Sequence, residues 1–248
     1  GVQMAKAAVL IGLGKSIAEL KAEGYLPSNM DGASLPEETA IAVKAAVLPF
    51  ARFRTPEGVV VDSLLSPEMR STGEVMGLDK HYDTAFAKAQ AGAGSPLPTS
   101  GKVFISVANH DKRNVIIYAK MLESLGFEIV STGGTAEILR RNGLNSVIVA
   151  SKFAEANGDH SIVDMVRNGD IDLILNTPAG GAARSDGYEI RAAAVSVGCP
   201  VMTTISEFAA AVQAINALRE HSWDIMSLQE PGVQLAAAVD ARSEGGEA

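Results

Sequence analysis

Several features are scarce in this 248-residue sequence. It contains a single cysteine, Cys199, so no disulfide can form within the chain, as is typical of proteins from a reducing compartment. No apolar run reaches the roughly 18 residues of a membrane-spanning helix, and the first residues lack the cleavage pattern of a signal peptide. We therefore expect a cytoplasmic protein without a membrane partner.

An excess of positive charge is also absent. The formal net charge is −8, which argues against a nucleic-acid partner, because such surfaces concentrate lysine and arginine. The four histidines are not spaced as metal ligands, and the single cysteine adds no further ligand. We expect no metal site; the histidines are His81, His110, His160 and His221.

The second half of the chain alternates between strand-like and helix-like segments. The stretch 91–100, AGAGSPLPTS, has the composition of a linker, and the alternation starts after it. Such alternation predicts βαβ units and a doubly wound parallel sheet covered on both faces. A further edge strand is expected in WDIMSLQE and a frayed tail over 231–248. The pattern predicts strands at 102–107, 127–130, 146–150, 173–177 and 201–205, and helices at 112–126, 136–143, 161–169, 188–198 and 207–220.

The sequence STGGT, residues 131–135, links the second of these strands to a helix. Backbone N–H groups at a helix N-terminus have no partner within the helix and suit an anion such as phosphate. Taken alone, a Gly-Gly pair after a strand is more often a tight turn. The window 101–143 is nevertheless the one net-positive part of the chain, with six basic and four acidic side chains.

Polar residues follow four of the predicted strands. Ligands bind outside the carboxyl ends of strands in such sheets, so these residues would share one rim. They offer hydroxyls, an amide and ammonium groups, which suit a phosphorylated ligand with a polar body. Each also has a simpler interpretation as a helix cap or a solvated side chain. The residues are Ser106, Lys112, Thr132, Thr135, Lys152, Asn176 and Thr177.

The sequence IGLGKS, residues 11–16, superficially resembles a nucleotide-binding P-loop. That motif requires glycine where this chain has Val9. We therefore predict a helix end with a glycine break before SIAELKAEG.

The stretch SLLSPEMRSTGEVMG, residues 63–77, resembles the end of the second ATP-grasp half of the carbamoyl-phosphate synthase large subunit. The segment from Gly101 to about Gln229 is similar to that subunit's C-terminal allosteric domain, which has a methylglyoxal-synthase-like fold. This resemblance implies an ATP-grasp tail at 1–90, a linker at 91–100, a five-stranded parallel sheet between helices at 101–230 and a flexible tail at 231–248. The catalytic residues of the family would lie upstream of this chain, so we expect no catalytic residue and no activity in this fragment alone.

The resemblance also implies a ligand and partners. Relatives bind UMP as a feedback inhibitor, and often IMP at an overlapping place. Lys112 and the turn Gly133-Gly134-Thr135 would hold the phosphate, while Lys152 and Asn176 would reach base or ribose. Ser106, Thr132 and Thr177 also match the family's pocket, and Pro178 replaces a hydroxyl residue of some relatives.

The complete enzyme, which serves pyrimidine and arginine biosynthesis, would use ATP with Mg²⁺ or Mn²⁺. Its partners would be the rest of the large subunit, a glutaminase small subunit and further copies of itself. Some relatives bind ornithine, and Glu74 matches an acid of that site. Val201 and Met202 stand where a polar or aromatic pair occurs, which argues against ornithine activation.

A lyase of the methylglyoxal synthase type, acting on dihydroxyacetone phosphate, is the alternative function. Asp159 stands where that family places its key acid. The segment NTPAGG lacks the second acid and nearby histidine of the synthase, and a single carboxylate is a poor proton shuttle. A solvated Asp159 is therefore favoured.

Overall fold

The computed structural model describes residues 2–28, 39–52, 63–65, 67–151, 161–177, 180–220, 225 and 227. The chain divides into two compact units, Gly1–Ala40 with Asp224–Ala248, and Ile41–Trp223. Apart from Ile225 and Ser227, the predicted edge strand WDIMSLQE lies outside the described residues, as does the predicted tail at 231–248. The predicted domain boundaries remain predictions.

Two short helices form the described part of the first unit. Helix α1, Met4–Gly12, ends before Gly14, whose φ of 97° lies in the left-handed region that favours glycine. Helix α2, Ile17–Ala22, starts with a capping box, in which the Ser16 hydroxyl accepts from the Glu19 N–H at 3.2 Å. The Glu19 carboxylate accepts from the Ser16 N–H at 2.8 Å. The predicted glycine break between two helices is confirmed.

The second unit starts with a two-stranded antiparallel sheet. Strand β1, Ile41–Val47, pairs with β2, Gly73–Asp79, and helix α3, Tyr82–Gly92, packs against both. The backbone of β2 approaches α3 so closely at Gly77 that a Cβ atom there would lie 2.0 Å from the Ala85 carbonyl oxygen. Helix α3 includes the first two residues of the predicted linker, because its alanine-rich end favours helix.

The rest of the unit is a five-stranded parallel sheet with helices between its strands. Its strands are β3 Lys102–Ser106, β4 Glu128–Ser131, β5 Ile148–Val149, β6 Leu173–Asn176 and β7 Val201–Met202. They lie in the order β5-β4-β3-β6-β7. The helices are α4 Lys112–Ser124, α5 Gly133–Arg141, α6 Ile162–Arg167, α7 Gly180–Val197 and α8 Ile205–Glu220. The predicted α/β class is confirmed.

Both faces of this sheet are covered. Val103 and Ile105 of β3 belong to a core with buried residues of α3, α4, α5 and α8. Phe104, between them, belongs to a second core with buried residues of α6 and α7. Successive side chains of a strand point to opposite faces, so one apolar strand serves both cores. The predicted doubly wound arrangement is confirmed.

Several predicted boundaries were wrong. The edge strands β5 and β7 have two residues each instead of five, because each pairs with one neighbour. Helix α8 begins at Ile205 instead of 207, because the Thr204 hydroxyl accepts from the Glu207 N–H at 3.2 Å and caps it. Helix α5 begins at Gly133, three residues before its predicted start, and α7 begins at Gly180, eight residues before its predicted start. Glycines at both starts obscure the apolar periodicity by which a helix is recognised in a sequence.

Candidate anion-binding site

The carboxyl ends of β3, β4 and β6 bring the predicted polar residues together. Ser106 ends β3, Thr132 follows β4, and their hydroxyl oxygens are 3.2 Å apart. Asn176 ends β6 and is the register partner of Ser106. The shared rim that the sequence predicts therefore exists for these residues.

Two threonine hydroxyls accept hydrogen bonds from the backbone of the loop that leads from β3 into α4. The Thr177 hydroxyl accepts from the Ala108 N–H at 2.8 Å, and the Thr135 hydroxyl accepts from the Val107 N–H at 3.4 Å. Both side chains are buried. A hydroxyl that accepts one hydrogen bond still carries a proton to donate. Thr135 and Thr177 thus hold the backbone of the site in place and keep a donor each.

The N-terminus of α5 offers two N–H groups at the same rim. Thr132, its N-cap, has extended backbone angles and makes no side-chain capping bond, and its carbonyl accepts from the N–H groups of Thr135 and Ala136. The N–H groups of Gly133 and Gly134 have no acceptor among the described residues, and both glycines are exposed. Such a terminus carries partial positive charge and suits an anion.

The ammonium group of Lys112 lies beside this turn. A Cβ atom added to Gly134 would be 3.4 Å from Lys112 Nζ. In the part of the chain that the structure describes, Lys112 forms no ion pair with a carboxylate. A cation at the first residue of α4 opposes the dipole of its own helix, and a bound anion would offset that cost.

Asn176 has a partner that the sequence did not reveal. Its side-chain oxygen accepts from Nη1 of Arg191 at 2.9 Å, and Arg191 is fully buried on α7. The only signal in the sequence was an arginine within the otherwise apolar helical pattern IRAAAV. Because its oxygen faces Arg191, the N–H groups of its amide are the groups that can point toward a ligand.

The remaining positions predicted from the sequence either lie outside the described residues or belong to other strands. Lys152, Pro178 and Asp159 lie outside the described residues. Glu74 is exposed on β2, where its carboxylate lies 3.2 Å from Lys44 Nζ. An exposed ion pair of this kind contributes little to stability. Val201 and Met202 form β7.

Cys199 packs against the second core of the sheet. Burial, together with the charge of Asp172, raises the pKa of the Cys199 thiol to about 12, so this thiol stays protonated at neutral pH. Within the described ranges, no cluster of three or more histidine, cysteine, aspartate or glutamate side chains could hold a metal ion. No described helix is both long and apolar enough to cross a membrane.

Comparison with known proteins identifies close relatives of the chain. Residues 114–203 match the family model of the MGS-like domain. The chain is 68% identical over 232 residues to the carbamoyl phosphate synthase large chain of Kocuria rhizophila, covering 93% of this chain and 21% of that protein. It is 61% identical over 244 residues to the large chain of Paenarthrobacter aurescens, covering 97% and 22%. The chain thus spans about a fifth of the length of these relatives.

Proposed function

Because the chain corresponds to the C-terminal region of carbamoyl phosphate synthase large chains and includes an MGS-like domain, we propose that this domain binds a nucleoside monophosphate effector such as UMP or IMP. The N–H groups of Gly133 and Gly134, which have no acceptor among the described residues, and the adjacent Lys112 ammonium carry this proposal. Together they present three donors and a positive charge, which is the chemistry that a phosphate group requires.

The rest of the rim suits the polar body of a nucleotide. Ser106 and Thr132 offer hydroxyls, and Asn176 offers amide N–H groups. Lys152, outside the described residues, would add a second cation. In this proposal these groups hydrogen-bond the nucleotide, which is sensed and not transformed.

In the complete enzyme this region would regulate an ATP-dependent ligase of pyrimidine and arginine biosynthesis. ATP and its Mg²⁺ or Mn²⁺ would bind to the remainder of the large chain. The proposed partners are that remainder, a glutaminase small subunit and further copies of this domain. Glu74, which forms an exposed ion pair with Lys44, would belong to an ornithine-type site.

We predict that the 248-residue chain alone makes no carbamoyl phosphate from ATP, bicarbonate and ammonia. It spans about a fifth of its relatives, and phosphoryl transfer needs residues that hold ATP and metal in line. The measurement is carbamoyl phosphate formation by the purified chain. Turnover above an enzyme-free blank would contradict the prediction.

A lyase that acts on dihydroxyacetone phosphate is the rival function, and we predict that this activity is absent. The segment NTPAGG, which begins with the last residue of β6, supplies no second carboxylate for proton transfer. A colorimetric assay for methylglyoxal checks this. Product that disappears in Asp159→Asn would make the lyase the better proposal.

The proposed ligands are compared by calorimetric titration of the chain with UMP, IMP and ornithine in parallel. Binding of UMP or IMP, with no binding of their nucleosides at equal concentration, supports the proposed function. Equal binding of nucleoside and nucleotide would show that the phosphate is not recognised.

A further inference from the structure

A buried arginine donates a hydrogen bond to one of the residues of the candidate site. Arg191 is fully buried on α7, and its Nη1 donates to the side-chain oxygen of Asn176 at 2.9 Å. Arginine is almost never fully buried unless its charge and its hydrogen bonds have partners, because removing a guanidinium from water is costly. Arg191 has a further interaction besides Asn176, and its hydrogen bond to Asn176 links the strand-end amide to α7.

A glycine in the same helix makes room for this contact. Gly187 lies in the interior of the 18-residue helix α7, where glycine is unfavourable. A Cβ atom there would lie 2.2 Å from Arg191 Nη1 and 2.4 Å from the Asn176 side-chain oxygen. No side chain fits this space while the pair exists. Two residues of α7 thus allow the hydrogen bond to Asn176 at the end of β6: Arg191 donates it, and Gly187 leaves the space for it.

The chemistry of arginine determines how the Asn176 amide is oriented. A guanidinium can only donate hydrogen bonds, so the carboxamide must turn its oxygen toward Arg191 and its N–H groups away. Those N–H groups have no acceptor among the residues that the structure describes. Asn176 is the register partner of Ser106, and residues paired in this way point to the same face of a sheet. The Asn176 and Ser106 side chains therefore project from the same face of the sheet, and Ser106 lies next to Thr132.

We propose that Arg191 is a positioning residue, which holds the Asn176 carboxamide so that its N–H groups donate to the bound nucleotide. The inference rests on the proposed function and deepens it. The ligand atom that meets Asn176 is then an acceptor, such as a carbonyl or hydroxyl oxygen, and not an amino group. Arg191 acts through Asn176 and does not touch the ligand.

The first test measures UMP affinity of the 248-residue chain by calorimetry. Arg191→Met keeps much of the side-chain volume but removes every donor, and it should weaken UMP binding about fivefold to tenfold, the effect of one lost neutral hydrogen bond. Arg191→Lys, which keeps one ammonium donor, should restore part of the affinity. The control is Arg167→Met, at an exposed position at the end of α6, which should bind UMP like the parent. A folded Arg191→Met variant that binds UMP like the parent would overturn the proposal.

A double-mutant cycle with Asn176→Ala separates positioning from general structural support. If Arg191 acts only through Asn176, then Arg191→Met should cause no further loss of UMP affinity in the Asn176→Ala background. Additive losses would show that Arg191 acts by another route and would overturn the inference. If the methionine variant does not fold, Gly187→Ala replaces it, because the added methyl displaces the pair without removing either member.

A second readout needs no ligand. The side-chain amide resonances of Asn176 in the NMR spectrum should move in Arg191→Lys and stay in place in Arg167→Met. Unchanged resonances in Arg191→Lys would contradict the positioning role even if UMP binds. The parent chain could also bind neither UMP nor IMP while the Asn176 amide resonances still shift in Arg191→Lys. That result would contradict the proposed function and not the contact between Arg191 and Asn176.

Discussion

Replacing Lys112 with alanine is expected to weaken UMP binding about tenfold to a hundredfold. The Lys112 ammonium lies beside the N-terminal glycines of α5, where the phosphate would bind. A charge-assisted hydrogen bond contributes roughly 1.5 to 3 kcal/mol, which corresponds to this loss. The fold should be retained, because a partly exposed lysine at the start of a helix contributes little packing. Titration calorimetry with circular dichroism as a check on folding gives the measurement.

Two controls make this result specific to the phosphate. Lys120→Ala removes an exposed lysine from the same helix and should leave UMP binding unchanged. Uridine lacks the phosphate, so it should bind the parent poorly and respond little to Lys112→Ala. Thr135→Ala should also weaken UMP binding, since the Thr135 hydroxyl both holds the Val107 N–H and keeps a proton to donate. If both folded variants bind UMP like the parent, STGGT is only a turn and the site assignment is wrong.

The effect on a complete synthase should be smaller than the effect on binding. Coupling between distant sites is typically about 1 to 3 kcal/mol, and it cannot exceed the difference in affinity that the effector has for the two states. A weaker effect of UMP on activity, with unchanged activity in the absence of UMP, is the expected outcome of Lys112→Ala in that context.

The second large effect concerns stability, and Gly77→Ala is expected to destabilise the second unit by about 3 kcal/mol. A Cβ atom at this position would lie 2.0 Å from the Ala85 carbonyl oxygen and 2.6 Å from the Ala89 nitrogen. Both are backbone atoms of α3, so the whole helix would have to move away from β2. The variant should unfold at a lower urea concentration than the parent.

Gly73→Ala is the matched control, because it adds the same methyl group to the same strand. A Cβ atom at Gly73 has no neighbour within 4 Å, and the residue is exposed. Its urea midpoint should stay close to that of the parent. Faster hydrogen exchange in peptides from β2 and α3 would show that the loss of stability in Gly77→Ala arises at these two elements. Equal midpoints for the two variants would show that β2 and α3 are not packed as closely as described.

The succession of strands and helices after residue 101 was predictable because it depends on local patterns. Short apolar runs such as those around Phe104 and Ile174 alternate with helical periods, and both signals lie within ten or fifteen neighbouring residues. The strand ends were less predictable. The length of an edge strand depends on a partner elsewhere in the chain, as β5 and β7 show.

The residues of the candidate site were predicted better than their contacts. That Ser106, Thr132 and Asn176 lie at the carboxyl ends of strands could be inferred from the sequence, and parallel strands bring such positions to one rim. The sequence did not indicate that Thr177 holds the Ala108 N–H across 69 residues, or that Arg191 occupies the oxygen of Asn176. Those bonds depend on the strand order β5-β4-β3-β6-β7 and on how closely α7 approaches β6. Neither the strand order nor the approach of α7 to β6 is a local property, because both depend on which apolar faces pack together in the folded chain.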